Sequence, residues 1–144
     1  MINYDEKLKE VLQNDEYIMA SLKAVEELNL EDAWIFAGLI RNKVWDTLAN
    51  ITTPINDIDV ICFDALDTSW GAEKKIEKEL ETLLPNRPWS VKNQARMHQK
   101  SRFDPFTSAY DGVAHFPETS TAVAARIYDE KLEFMAPYGL EDLF

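Results

Sequence analysis

Two aspartates two residues apart, Asp57 and Asp59, open an apolar, β-branched run, Asn56-Asp57-Ile58-Asp59-Val60-Ile61-Cys62-Phe63-Asp64. In a strand, successive side chains point to opposite faces, so the two carboxylates share one side and Ile58, Val60 and Cys62 take the other. Carboxylates at this spacing repel unless a cation lies between them. The natural cation is a divalent metal: Mg²⁺ prefers hard oxygen ligands, commonly one or two carboxylates, with water and substrate phosphates completing the shell. An acid pair on a rigid strand therefore points to phosphate chemistry. The plainer alternative is a pair of solvated residues at a strand entrance.

The elements that would position this pair come just before it. Ala33-Trp34-Ile35-Phe36-Ala37 is a short apolar run and reads as a buried strand. After Gly38 the spacing becomes helical (Leu39, Ile40, Val44, Trp45, Leu48), which makes Gly38 a tight strand-to-helix turn. The N-terminus of such a helix presents unpaired backbone N–H groups and a positive dipole end, both suited to phosphate. Arg41, Asn42 and Lys43 follow within about a turn. Neighbours two apart on a helix face different ways, so Arg41, nearer Gly38, is expected to point at a ligand and Lys43 away from it. The linker Asn50 to Asn56 then delivers the chain to the acidic strand.

Upstream, two amphipathic helices are predicted over Asn3 to Gln13 and Asp15 to Leu28, giving a helical packing segment over residues 1–30. Downstream, Ser69 or Asp67 caps a helix carrying Ile76, Leu80 and Leu83 with a Glu-Lys outer face, stopped by Pro85 and Pro88. A short strand over Trp89 to Lys92 leads into Asn93-Gln94-Ala95-Arg96-Met97-His98, a dense cluster of hydrogen-bonding groups that either grips an anion or caps itself as a polar loop. Asp111-Gly112 reads as a turn between aromatic-pinned loops. Thr121 to Tyr128 and Leu132 to Met135 read as a terminal hairpin. The fold class is α/β, or α+β: a small mixed sheet with helices packed on it and a C-terminal hairpin.

The chain has 144 residues, 46% of them apolar, and suits one domain spanning 1–144. Its formal charge of −11 argues against a long nucleic acid held through its phosphates, whereas one triphosphate can still be neutralised by a metal ion and a few local cations. The single cysteine, Cys62, reads as a buried core thiol. With neither a leader-like start nor a membrane-length apolar stretch, a soluble, cytoplasmic protein is expected, without a membrane partner.

The order strand, Gly38 turn, helix, then a strand with Asp57-x-Asp59 resembles the nucleotidyltransferases of the DNA polymerase β-like superfamily. Ala37-Gly38-Leu39-Ile40-Arg41-Asn42 with Val44-Trp45-Asp46, Asp57-Ile58-Asp59-Val60, Trp89 with Val91 to His98, Phe116-Pro117-Glu118-Thr119 and Ala136-Pro137-Tyr138-Gly139-Leu140 look like successive motifs of a bacterial family of nucleotidyltransferase-like proteins. The resemblance implies a polymerase β-like core and an Mg²⁺- or Mn²⁺-dependent transfer of a nucleoside monophosphate from a nucleoside triphosphate to a small-molecule or protein acceptor. In it, Asp57 and Asp59 are catalytic and hold the metal, while Gly38, Arg41, Asn42, Lys92, Asn93, Gln94, Arg96 and His98 bind nucleotide. The superfamily usually supplies a third carboxylate from the neighbouring strand, where this chain has Ser90; Asp111 is the candidate replacement. A catalytically weakened, nucleotide- or metal-binding regulator on the same fold is the alternative.

Overall fold

The structure is a computed structural model that describes residues 3–95, 106–115 and 122–144. Two helices, α1 (Tyr4–Gln13) and α2 (Glu16–Glu27), start where Asn3 and Asp15 accept the backbone N–H groups of Glu6 and Ile18. Then follow β1 (Ala33–Phe36), α3 (Gly38–Ala49), β2 (Ile58–Cys62), α4 (Trp70–Leu83), β3 (Trp89–Asn93), α5 (Ala109–Ala114), β4 (Ala124–Tyr128) and β5 (Lys131–Met135). A 3-10 turn covers Glu141–Leu143. The strands form one mixed sheet in the order β3-β2-β1-β4-β5. Among the described strands only β2 and β3 run parallel, as the α4 crossover between them requires.

Alternation along the strands divides the sheet into two faces. Ile35, Ile58, Val60 and Val91 pack with Leu8, Leu12, Leu22, Ile40 and Leu80 in one core. Leu8 and Leu12 are fully buried, each contributing about 2 kcal/mol of apolar burial. Trp34, Phe36, Ile61, Ala124 and Met135 point the other way, against Ala109 and Val113 of α5. Cys62 lies on the helix-covered face, and burial pushes its thiol up to about 12, so it is an inert core group. Among the described residues no helix is long and apolar enough to cross a membrane.

Three local expectations are corrected. Asp111-Gly112 is not a turn but the middle of α5: Ser108 caps that helix through the Asp111 N–H, Asp32 accepts the Ala109 N–H, and a Cβ on Gly112 would collide with the Gln94 amide. The glycine is there for close approach. The outer face of α4 is not wholly solvated either, because Glu73 is 3% exposed. Glu73 and Glu77, one turn apart, accept the N–H groups of Asn93 and Val91 and so occupy the free edge of β3. The terminal hairpin turns at Asp129 and Glu130, both at positive φ (51° and 64°), the two-residue geometry that matches strand twist, so Lys131 belongs to β5.

Candidate functional site

The sheet delivers β1 and the start of β2 side by side and antiparallel, with Phe36 opposite Asp59. The chain leaves β1 through Ala37, whose φ of 56° lies in the left-handed region; Gly38, expected there, is instead the first residue of α3. An alanine held at positive φ is strained, typically by about 1–3 kcal/mol. The Ala37 N–H secures the turn by donating to the Val123 carbonyl. A Cβ on Gly38 would meet only Arg41 Nη2, at an ordinary 3.8 Å, so packing does not demand this glycine. It leaves the first turn of α3 open. The helices α1, α2, α4 and α5 each have a side-chain N-cap, whereas α3 has none.

A cavity of about 300 Å³ opens at that helix end, and Gly38, Arg41, Asn42, Asp57 and Asp59 all line it. Asp57 is exposed at the mouth and Asp59 is half-buried. Asp15, Asp32, Asp46, Asp64, Asp67 and Asp111 each accept N–H or O–H groups. Asp57 and Asp59 accept no hydrogen bond from any described residue; among those residues the one close partner of the pair is Lys92, whose Nζ lies 3.9 Å from Asp59 Oδ1. Desolvation holds the Asp59 carboxyl above its ordinary range, Lys92 pulling it down and Asp57 adding to the rise. Hard oxygens with open lone pairs fit a divalent ion that keeps water and phosphate ligands. Among the described residues no third Asp, Glu, His or Cys completes a cluster with them. The neighbour of Asp59 on β3 is Ser90, in register.

The remaining expected site residues fall into three groups. Lys92, two positions beyond Ser90, shares its face with Asp59. Asn93 turns away: its Oδ1 accepts the Asp64 and Ala95 N–H groups, and its Nδ2 donates to the Asp64 and Asp67 carbonyls. With every amide position used and 2% exposure, it clamps the loop after β2 instead of facing the cavity. Gln94 packs against Gly112. Asp111 is not in the cavity lining, and its carboxylate is taken up by the Thr107 N–H and hydroxyl and the His115 ring, so it is a poor third carboxylate. Arg96 and His98 lie outside the described residues.

Sequence reasoning missed the far wall. The stretch from Ile51 to Asn56, read as a linker, lines the cavity, held by Asp46 Oδ2 accepting the Thr53 N–H (3.0 Å) and hydroxyl (2.8 Å). The available signal was the four-residue spacing of Gly38, Asn42 and Asp46, which puts all three on one stripe of α3.

Arg41 and Lys43 both line the cavity, so helical facing does not separate them. Their partners do. Lys43 Nζ lies 3.0 Å from Asp15 Oδ2, and desolvation of Asp15 is outweighed by the Ile18 N–H and Lys43, which hold that carboxyl below its usual range. Arg41 folds back towards Gly38, its Nε donating to Asn42 Oδ1 (3.1 Å) and its guanidinium 5.2 Å from the Trp45 ring centre, with no carboxylate partner among the described residues. Arg41→Ala is therefore expected to weaken triphosphate binding about 10-fold, and Lys43→Ala less than about 3-fold, by calorimetric titration. Equal losses would contradict the assignment.

The nucleotidyltransferase family profile matches residues 23–144, most of the chain, with Gly38, Arg41, Asn42, Asp57 and Asp59 inside the match. The chain belongs to the nucleotidyltransferase family. Among solved structures it is similar to a protein whose NMR structure is described as revealing a CCA-adding enzyme head domain. The match has a TM-score of 0.82 at 36% identity and covers 96% of this chain and 74% of that one. No curated protein matches at a significant level. The mixed five-stranded sheet with its helices is thus a nucleotidyltransferase head-domain fold, with Asp57 and Asp59 where its β1–α3 turn meets β2.

Proposed function

We propose that the chain is a divalent-metal-dependent nucleotidyltransferase that takes a nucleoside triphosphate into this cavity and passes the nucleoside monophosphate to an acceptor, releasing pyrophosphate. The observation that carries the reading is one cavity lined both by two carboxylates that accept no hydrogen bond from a described residue and by a helix N-terminus without a side-chain cap. Asp57 and Asp59 would hold Mg²⁺ or Mn²⁺, which supplies charge neutralisation for the phosphates. The first N–H groups of α3 and Arg41 orient the terminal phosphates, and Asp46 keeps the Thr53 wall in place. A cavity of about 300 Å³ is at the small end for ligand pockets and suits a triphosphate better than a whole nucleotide, which leaves the base towards the mouth.

We assign the acceptor to a small molecule or a protein, because a net charge of −11 disfavours a long phosphate backbone. The likeness to a CCA-adding enzyme head domain favours a nucleic-acid end instead. A thermal-shift screen of the four ribonucleoside triphosphates with Mg²⁺ or Mn²⁺ tests binding: ligand at 100 times its dissociation constant adds about 2.7 kcal/mol. No shift with any of the four overturns the reading. Transfer of label from the preferred triphosphate to a short RNA, a protein or a small-molecule pool then separates the acceptors.

Ser90 beside Asp59 favours a second reading, a regulator that binds nucleotide and turns it over poorly. If the chemical step lacks a third acid, Ser90→Asp should release pyrophosphate at least about 10-fold faster with Mn²⁺, at little change in triphosphate affinity. A strand residue keeps its face unless the register slips, so the new carboxylate must sit beside Asp59. A native chain that already turns over briskly, with an acid variant no faster, would show that Ser90 is no deficiency.

A further inference from the structure

We propose that Lys92 is the resident counter-ion of Asp59, so that the site excludes the free metal ion and admits it together with the triphosphate, whose phosphates take the displaced ammonium. The proposal rests on the nucleotide reading above and adds the order of entry. Lys92 Nζ stands 3.9 Å from Asp59 Oδ1, and among the described residues it has no other partner. Its backbone is fixed on both sides, Val91 N–H by Glu77 and Asn93 N–H by Glu73, while its side chain is 49% exposed. A four-carbon stem on a fixed base can swing without disturbing the sheet. Among the described residues Asp59 has only this cation to offset it, and a dication approaching Asp59 alone meets a like charge at contact distance. A metal–triphosphate complex does not meet that barrier, because its phosphates offer the ammonium a new anion as it leaves the carboxylate.

The test uses the full 144-residue chain and two probes, Mn²⁺ alone and Mn²⁺ premixed with inorganic tripolyphosphate. Bound Mn²⁺ is read from loss of the free-ion electron paramagnetic resonance signal. Lys92→Met, an exposed substitution that keeps the stem, is expected to bind Mn²⁺ alone about 5-fold tighter than the native chain. That gain should vanish in the Lys92→Met, Asp59→Asn double variant. By calorimetry the native chain is expected to bind the Mn²⁺–tripolyphosphate complex, and Lys92→Met to bind it about 10-fold more weakly. Lys92→Met binding Mn²⁺ no tighter than the native chain overturns the proposal, as does a gain that survives in the double variant. Failure of the native chain to bind the tripolyphosphate complex overturns the nucleotide reading instead, and the metal-alone comparison still decides whether Lys92 guards Asp59.

Discussion

Asp59→Asn and Asp57→Asn are each expected to abolish metal-dependent triphosphate binding, by about 100-fold or more, without unfolding the protein. Neither carboxylate accepts a hydrogen bond from a described residue, so neither substitution orphans a donor. Loss of a group that only orients a metal ligand typically costs 10–100-fold in metal affinity, and loss of a ligand carboxylate should cost at least about the top of that range. Stability moves the other way at Asp59. Burial raises its folded-state value above the unfolded 3.8, so between those two values the folded protein binds more protons than the unfolded one and stability falls as pH rises. The cost is absent below 3.8 and fully present above the folded-state value. The Asn variant should therefore match the native Tm at the acid end and exceed it slightly at neutral pH. Thermal melts at several pH values with and without Mn²⁺ and triphosphate check both halves. A full ligand-dependent shift in either Asn variant would place the metal elsewhere.

The second large effect is expected at a residue that binds no ligand. Asn93→Ala removes all four hydrogen bonds of a buried amide and leaves two N–H and two carbonyl groups of the chain after β2 and β3 without a partner. Some of these groups regain water, since Asp64 and Asp67 are exposed, so the loss is set at about 3 kcal/mol, or roughly 10 °C in Tm for a chain of this size. Triphosphate affinity, measured below the lowered melting transition, should change less than about 3-fold. A nucleotide ligand would show the reverse, with affinity lost and Tm kept. The two readouts separate the structural role from the ligand role assigned to Asn93 by its place in a polar cluster.

The contrast between Asn93 and Asp59 shows how far residue types and spacing reach. Helices α1 to α4, the five strands and the caps at Asn3, Asp15 and Ser69 were legible because they depend on periodicity and on side chains meeting their own backbone a few residues away. The acid pair was legible for the same reason: a two-residue strand period puts Asp57 and Asp59 together before any fold is known. The register of β3 on β2, the clamp made by Asn93, the partners that distinguish Lys43 from Arg41 and the wall from Ile51 to Asn56 were decided only by tertiary structure. Each depends on groups far apart in the chain: Asn93 meets Asp64, Lys43 meets Asp15, and Lys92 meets Asp59. Whether a polar side chain serves the fold or a ligand depends on whether such a contact has already used its donors and acceptors. No pattern of neighbouring residue types records that.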